Sequence, residues 1–188
     1  MEFIFWLSLF IVFYTFFGYG IVLYILVKLR NAIKGKRVLP DNHGNWPSVA
    51  LIISAYNEED CIADKIKDTL ALSYPAEKLE IIFVTDGSND RTPKIVRQYP
   101  QVKLMHEDAR RGKLAAIHRV MGHVTADVVV LTDANTFLNT DALLLMCRHY
   151  ADPKIGAVSG EKRVKIDDVN DATAGEGFYW KYESKLKT

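Results

Sequence analysis

Val128-Val129-Val130-Leu131-Thr132-Asp133-Ala134-Asn135 is an uncharged, largely apolar run that stops at a carboxylate, with an amide two residues further on. Such a run reads as a buried strand, and in an open α/β sheet the C-terminal strand ends are where ligands bind. The pattern recurs at Ile81-Ile82-Phe83-Val84-Thr85, which gives way to Asp86-Gly87-Ser88. Two strand ends that present acid point to one shared site.

The flanking sequence supplies the rest of such a sheet. Val49 to Ala55 reads as a first strand, and Ile62, Ile66 and Leu70 then recur at helical spacing up to Tyr74-Pro75. Leu79 to Thr85 is the second strand, followed by a helix with Thr92 as N-cap and Pro93 as its first residue. Val102 to His106 is a third strand, Gly112 to Gly122 a helix, Asp127 to Thr132 a fourth strand, Asp141 to Tyr150 a helix, and Ile155 to Ser159 a fifth strand. Strands separated by helices predict an α/β fold, a mostly parallel sheet flanked by helices.

Upstream of this region, Phe3 to Val27 contains no charged residue. As a helix it would rise ~37 Å, more than the ~30 Å hydrocarbon core of a bilayer. A cleaved signal peptide fits less well, because the start is Met1-Glu2 rather than basic and the apolar run exceeds the usual ~7 to 15 residues. An uncleaved transmembrane helix over residues 1–27 is expected. Lys28, Arg30, Lys34, Lys36 and Arg37 follow it, and the positive-inside rule then places the later residues in the cytoplasm. The breaker-rich stretch Pro40 to Pro47 closes a basic juxtamembrane linker over 28–47, which leaves 48–188 as the soluble domain. This predicts a single-pass protein of the inner (plasma) membrane.

Bulk properties narrow the function classes. A chain of 188 residues with a formal net charge of +1 lacks the basic face that a nucleic-acid binder needs, so no nucleic-acid partner is expected. Cys61 and Cys147 belong to no CxxC pair or Cys/His cluster and read as free, mostly buried thiols.

Three strand ends carry polar chemistry: Ala55-Tyr56-Asn57-Glu58-Glu59, Asp86-Gly87-Ser88-Asn89-Asp90 and Asp133-Ala134-Asn135. The carboxylate of Asp133 and the amide oxygen of Asn135 are hard ligands suited to Mg²⁺ or Mn²⁺, ions that leave positions open for phosphate oxygens. Taken alone, Asp-x-Asn reads equally as an Asx turn closing a strand. Asp-Gly is a common turn pair, Asp90 fits a role at the helix start, and Tyr56 could stack on a base or simply pack. Arg110-Arg111-Gly112-Lys113 opens a helix where an anion would be stabilised, but Leu114 stands where a Walker A loop requires Ser or Thr. No GxGxxG follows the first strand, and His118 and His123 lie off helical face-sharing spacing.

Together these segments resemble the family 2 glycosyltransferases, inverting GT-A-fold enzymes that include cellulose, chitin, hyaluronan and poly-N-acetylglucosamine synthases. The resemblance rests on Ala55-Tyr56-Asn57-Glu58, Asp86-Gly87-Ser88-x-Asp90-x-Thr92, Arg111-Gly112-Lys113 with Ala115-Ala116, Thr132-Asp133-Ala134-Asn135 and Val158-Ser159-Gly160, in that order. It implies that Ala55, Tyr56, Asn57, Glu58 and Asp86 line the base and ribose of a nucleotide-sugar donor, most often UDP-linked. It places Lys113 near the nucleotide, and Asp133 and Asn135 at the diphosphate with a divalent metal, Mg²⁺ or Mn²⁺. Asn135 stands where the family more often has a second Asp, and a neutral amide holds a cation less strongly than a carboxylate. The resemblance further implies a glycan or lipid-linked acceptor and a general base, which is expected beyond residue 188. The chain then reads as a donor-binding half that needs an acceptor domain, or alternatively as a catalytically silent nucleotide-sugar-binding or assembly module. A nucleotidyltransferase would want a Gly-rich loop where this chain has Tyr56-Asn57-Glu58-Glu59.

Overall fold

The computed structural model describes residues 1–35 and 44–161. The N-terminal helix belongs to one compact unit, and Leu39–Ser159 form the other.

The helix comprises α1 (Glu2–Phe13), a π-helical turn (Tyr14–Gly18) and α2 (Tyr19–Lys34), so it continues past Val27, where the sequence suggested an end. Within the π turn, the Thr15 hydroxyl donates to the Ile11 carbonyl at 2.7 Å, a back-bond that competes with the regular helical ladder. No residue of α1 is buried, and Glu2–Ile33 is long and apolar enough to cross a membrane.

In the α/β unit the strands are β1 (Val49–Ala55), β2 (Leu79–Asp86), β3 (Lys103–Glu107) and β4 (Val128–Asp133). They form one parallel sheet in the order β3-β2-β1-β4. Parallel neighbours need crossovers, and these are α3 (Ile62–Leu70), α4 (Thr92–Val96) and α5 (Lys113–Met121). The last helix, α6 (Ala142–Cys147), tightens into a 3₁₀ turn at Arg148–Ala151.

Alternation of side chains divides β1 between two cores. Val49, Leu51 and Ile53 pack with Ile62 and Ile66 of α3, Val96, Leu143 and Cys147, while Ile52 joins Ile82, Val84, Ala116 and Val120 on the opposite face. Burial on both faces explains why these strands read as apolar runs rather than as alternating ones. Cys147 is buried and Cys61 half-buried, and neither is in a disulfide.

Register fixes the ligand end of the sheet. Ser54 pairs with Asp133, Ala55 with Thr85, and Asp86 with Glu107, so all four strands deliver their polar termini side by side.

Two sequence expectations need correction. Residues 155–159 form no strand; a strand requires a partner for its ladder, and these residues are paired with none of the four strands. Thr92 is the first residue of α4 rather than its N-cap, which is Arg91, because Asp90 supplies the capping oxygen: its carboxylate accepts the Thr92 N–H at 2.9 Å.

Candidate functional site

The loops after β1 and β2 are sewn together by side chains on backbone. Asn57, at a φ of 52°, accepts the Asn89 N–H on its Oδ1 at 3.0 Å, and its own N–H donates to the Ser88 hydroxyl at 3.3 Å. The Glu58 N–H donates to the Thr92 hydroxyl at 2.9 Å, the Glu59 N–H to Asp90 at 3.1 Å, and the Arg91 N–H to the Glu59 carboxylate at 2.9 Å. The Arg91 N–H bond and guanidinium hold Glu59 below its ordinary carboxylate range. Burial raises Asp90, but the hydroxyl and N–H of Thr92 outweigh it and the net shift is downward. Asn57 and Asp90 therefore set the shape of the loops, which leaves the Tyr56 ring, 40% exposed, on their surface.

Asp86 is the anchor of the next loop. Its Oδ2 accepts the N–H groups of Arg111 at 2.7 Å and Gly112 at 2.6 Å, while Oδ1 is buried with no hydrogen-bond partner among the described residues. Burial pushes its pKa up, yet those two N–H groups and Arg119, whose Nη1 lies 3.6 Å from Oδ1, bring it below the ordinary value. Arg119 also pairs with Glu107, and Arg111 pairs with the same carboxylate at 3.1 Å. Gly87 follows at a φ of 71°, and a Cβ there would lie 2.5 Å from the Arg110 Cβ. This close approach brings the Arg110 guanidinium over the Tyr56 ring, 3.9 Å from its centre.

At the end of β4 the Asp133 carboxylate accepts the Lys113 ammonium at 2.5 Å and the Ser54 hydroxyl at 3.1 Å. Both charged side chains are about half exposed, at 57% and 49%, so the pair faces solvent. Asn135, two residues on, is also exposed. Lys113 opens α5 with Gly112 as its N-cap. A cation already sits on Asp133, and a carboxylate, an amide oxygen and solvent-facing space suit an ion that takes one or two protein oxygens and completes its shell with phosphate and water. No group of three or more His, Cys, Asp or Glu residues placed to hold a metal occurs among the described residues, so an all-protein cage is not what this end of the sheet offers.

The structure thus gathers Ala55, Tyr56, Asn57, Glu58, Asp86, Lys113, Asp133 and Asn135 at the C-terminal ends of β1, β2 and β4 and the entrance of α5. Two contributors were not singled out from sequence: Arg119 and Glu107, which come beside Asp86 only through the fold. A cavity of about 590 Å³ lies at the opposite end of the sheet, lined by Trp46, Ser48, Lys78, Asp127 and Tyr150. Its charged groups are occupied: Lys78 donates to the Trp46 carbonyl at 2.6 Å, and Asp127 accepts from the Ser48 hydroxyl at 2.6 Å.

A parallel sheet flanked by helices thus carries polar, laced loops at the C-terminal ends of its strands. The family model "Glycosyl transferase family 2" matches residues 50–188, and the chain belongs to that family. It is 33% identical over 138 residues to the beta-monoglucosyldiacylglycerol synthase of Synechocystis, covering 70% of this chain and 29% of that protein. It is 31% identical over 151 residues to a poly-beta-1,6-N-acetyl-D-glucosamine synthase of Staphylococcus aureus, covering 78% and 35%. Among solved structures, the mannosyltransferase PcManGT of Pyrobaculum calidifontis, in complex with GDP-Man and Mn²⁺, superposes with a TM-score of 0.65 at 32% identity, over 78% of this chain and 45% of that one. The chain spans about a third of the length of these curated relatives.

Proposed function

We propose that this chain is the donor-binding part of a membrane-anchored glycosyltransferase that takes a sugar from a nucleotide-sugar, UDP-linked, and passes it with inversion to a glycan or lipid-linked acceptor. The observation that carries the proposal is the Asp133 carboxylate, held by Ser54 and Lys113 at the end of β4 beside the Asp86-anchored loop. The relatives named for poly-N-acetylglucosamine and glucosyldiacylglycerol synthesis support sugar transfer to a glycan or a lipid, and the GDP-Man and Mn²⁺ complex supports a nucleotide-sugar with a divalent metal.

In this reading Tyr56 offers its ring to the base, with Ala55, Asn57, Glu58 and Asp86 shaping the pocket for base and ribose. Lys113 leaves Asp133 for the diphosphate, and Asp133 with Asn135 would hold Mg²⁺ or Mn²⁺. A bound divalent ion neutralises charge on the departing diphosphate. An acceptor domain that supplies a general base would act together with this donor-binding part. The helix over Glu2–Ile33, with the basic residues Lys28, Arg30, Lys34, Lys36 and Arg37 in and just after its last turns, supports an anchor in the inner membrane with residues 48–188 on the cytoplasmic side.

Photolabelling of the full chain with an azido-UDP-sugar tests the donor assignment. Mn²⁺-dependent labelling on residues 55–58 or 108–113, competed by UDP and poorly by GDP, is expected. Metal-independent labelling, or equal competition by GDP, would overturn it.

A further inference from the structure

Lys65 is the largest fully buried side chain in the α/β unit, with no exposed surface. A lysine there is costly, because desolvation disfavours the ammonium and a methionine of similar shape would fill the same space without that penalty. Burial indeed draws Lys65 below its ordinary value, with Asp68 opposing the shift. What the charge does in return is visible on the loop after β4. The Lys65 ammonium donates to the Thr136 carbonyl at 2.5 Å, lies 6.0 Å from the centre of the Phe137 ring, and is 3.5 Å from Asp68. Asp68, one turn along α3, accepts the Leu138 N–H at 3.2 Å.

The same loop is fixed at its start. The Ala134 N–H donates to the Ser54 carbonyl at 3.1 Å, and the Thr136 N–H donates to the Asp133 carbonyl at 3.2 Å. Asn135 therefore sits between two clamped peptides, one tied to β1 and one tied to α3. We propose that Lys65 is a positioning residue, holding the Thr136 peptide so that the Asn135 amide oxygen stands beside Asp133 for a divalent cation. This rests on the nucleotide-sugar reading of the site.

The test uses the full chain, UDP and Mn²⁺. In Lys65→Met the Mn²⁺ concentration giving half-maximal UDP binding is expected to rise about tenfold, the size seen when a group supporting a metal ligand is lost. UDP affinity without metal should stay unchanged, even if loss of the Thr136 and Asp68 contacts lowers the melting temperature. A merely structural role would move metal-free binding and melting together. If wild type shows Mn²⁺-dependent UDP binding and Lys65→Met has the same half-saturating Mn²⁺, the positioning role is overturned while the site reading stands; if wild type shows none, the site reading itself falls. Should Lys65→Met not fold, wild-type hydrogen exchange decides, because coupling between clamp and metal is reciprocal. Mn²⁺ added to the UDP complex should slow exchange of the Leu138 amide, and an unchanged rate would overturn the proposal.

Discussion

Gly87 has no room for a side chain: its φ of 71° disfavours any L residue, and an added Cβ would meet the Arg110 Cα at 2.9 Å as well as its Cβ. Gly87→Ala is expected to cost about 1–2 kcal/mol from backbone conformation alone. Because the clash falls on the backbone that Asp86 anchors, it should also displace the Arg110 stack on Tyr56. Chemical denaturation should show the loss, and the change in Tyr56 environment should be visible by near-ultraviolet circular dichroism. The acid limb of stability belongs to this scale too. Asp86, Asp90 and Glu59 all have native pKa values below the ordinary carboxylate range, so their contribution is complete above the unfolded values of 3.8 to 4.5 and is lost as pH falls through the lowered native values. Asp86→Asn should flatten that limb in a pH series of melting temperatures. Of these residues, the sequence marks Asp86, Gly87 and Asp90 by their turn chemistry. Arg119 could not be found that way, since it meets Asp86 and Glu107 only once α5 has folded back on the sheet.

At the scale of elements, β1 and β4 illustrate what patterning can convey. Val49–Ala55 matches its sequence boundaries because both its faces are covered, and a run of apolar residues is all that such a strand needs. β4 is equally apolar, yet it is paired only with β1 among the described residues, and Leu131 is 55% exposed. Ile53→Ala in the centre should cost about 2–5 kcal/mol, whereas Leu131→Ala should cost well under half of that, by urea denaturation of each variant. The expected strand at 155–159 fails for a related reason: an apolar pentapeptide such as Ile155-Gly156-Ala157-Val158-Ser159 carries a strand's composition, but pairing is a long-range event that composition does not encode. Thr92 likewise has the chemistry of a cap, but the cap position falls to Arg91 and it is the Asp90 carboxylate that accepts the Thr92 N–H. The role of α3 lies further still from local reading, since Lys65 and the Thr136 carbonyl are 71 residues apart.

For the whole molecule, the helix Glu2–Lys34 and the α/β unit pose separate questions. If the helix anchors the chain, deletion of residues 2–27 should release the protein from membranes washed with alkaline carbonate, while the intact chain stays with the lipid. The donor site is probed by calorimetric titration of the full chain with UDP in the presence of Mn²⁺, wild type beside Asp133→Ala. Wild type should bind UDP more tightly with Mn²⁺ than without it. Asp133→Ala should lose at least tenfold in affinity with the metal present and nothing without it, with an unchanged circular dichroism spectrum. No binding by wild type, or metal-dependent binding that survives intact in a folded Asp133→Ala, would contradict a nucleotide-sugar site at the end of β4.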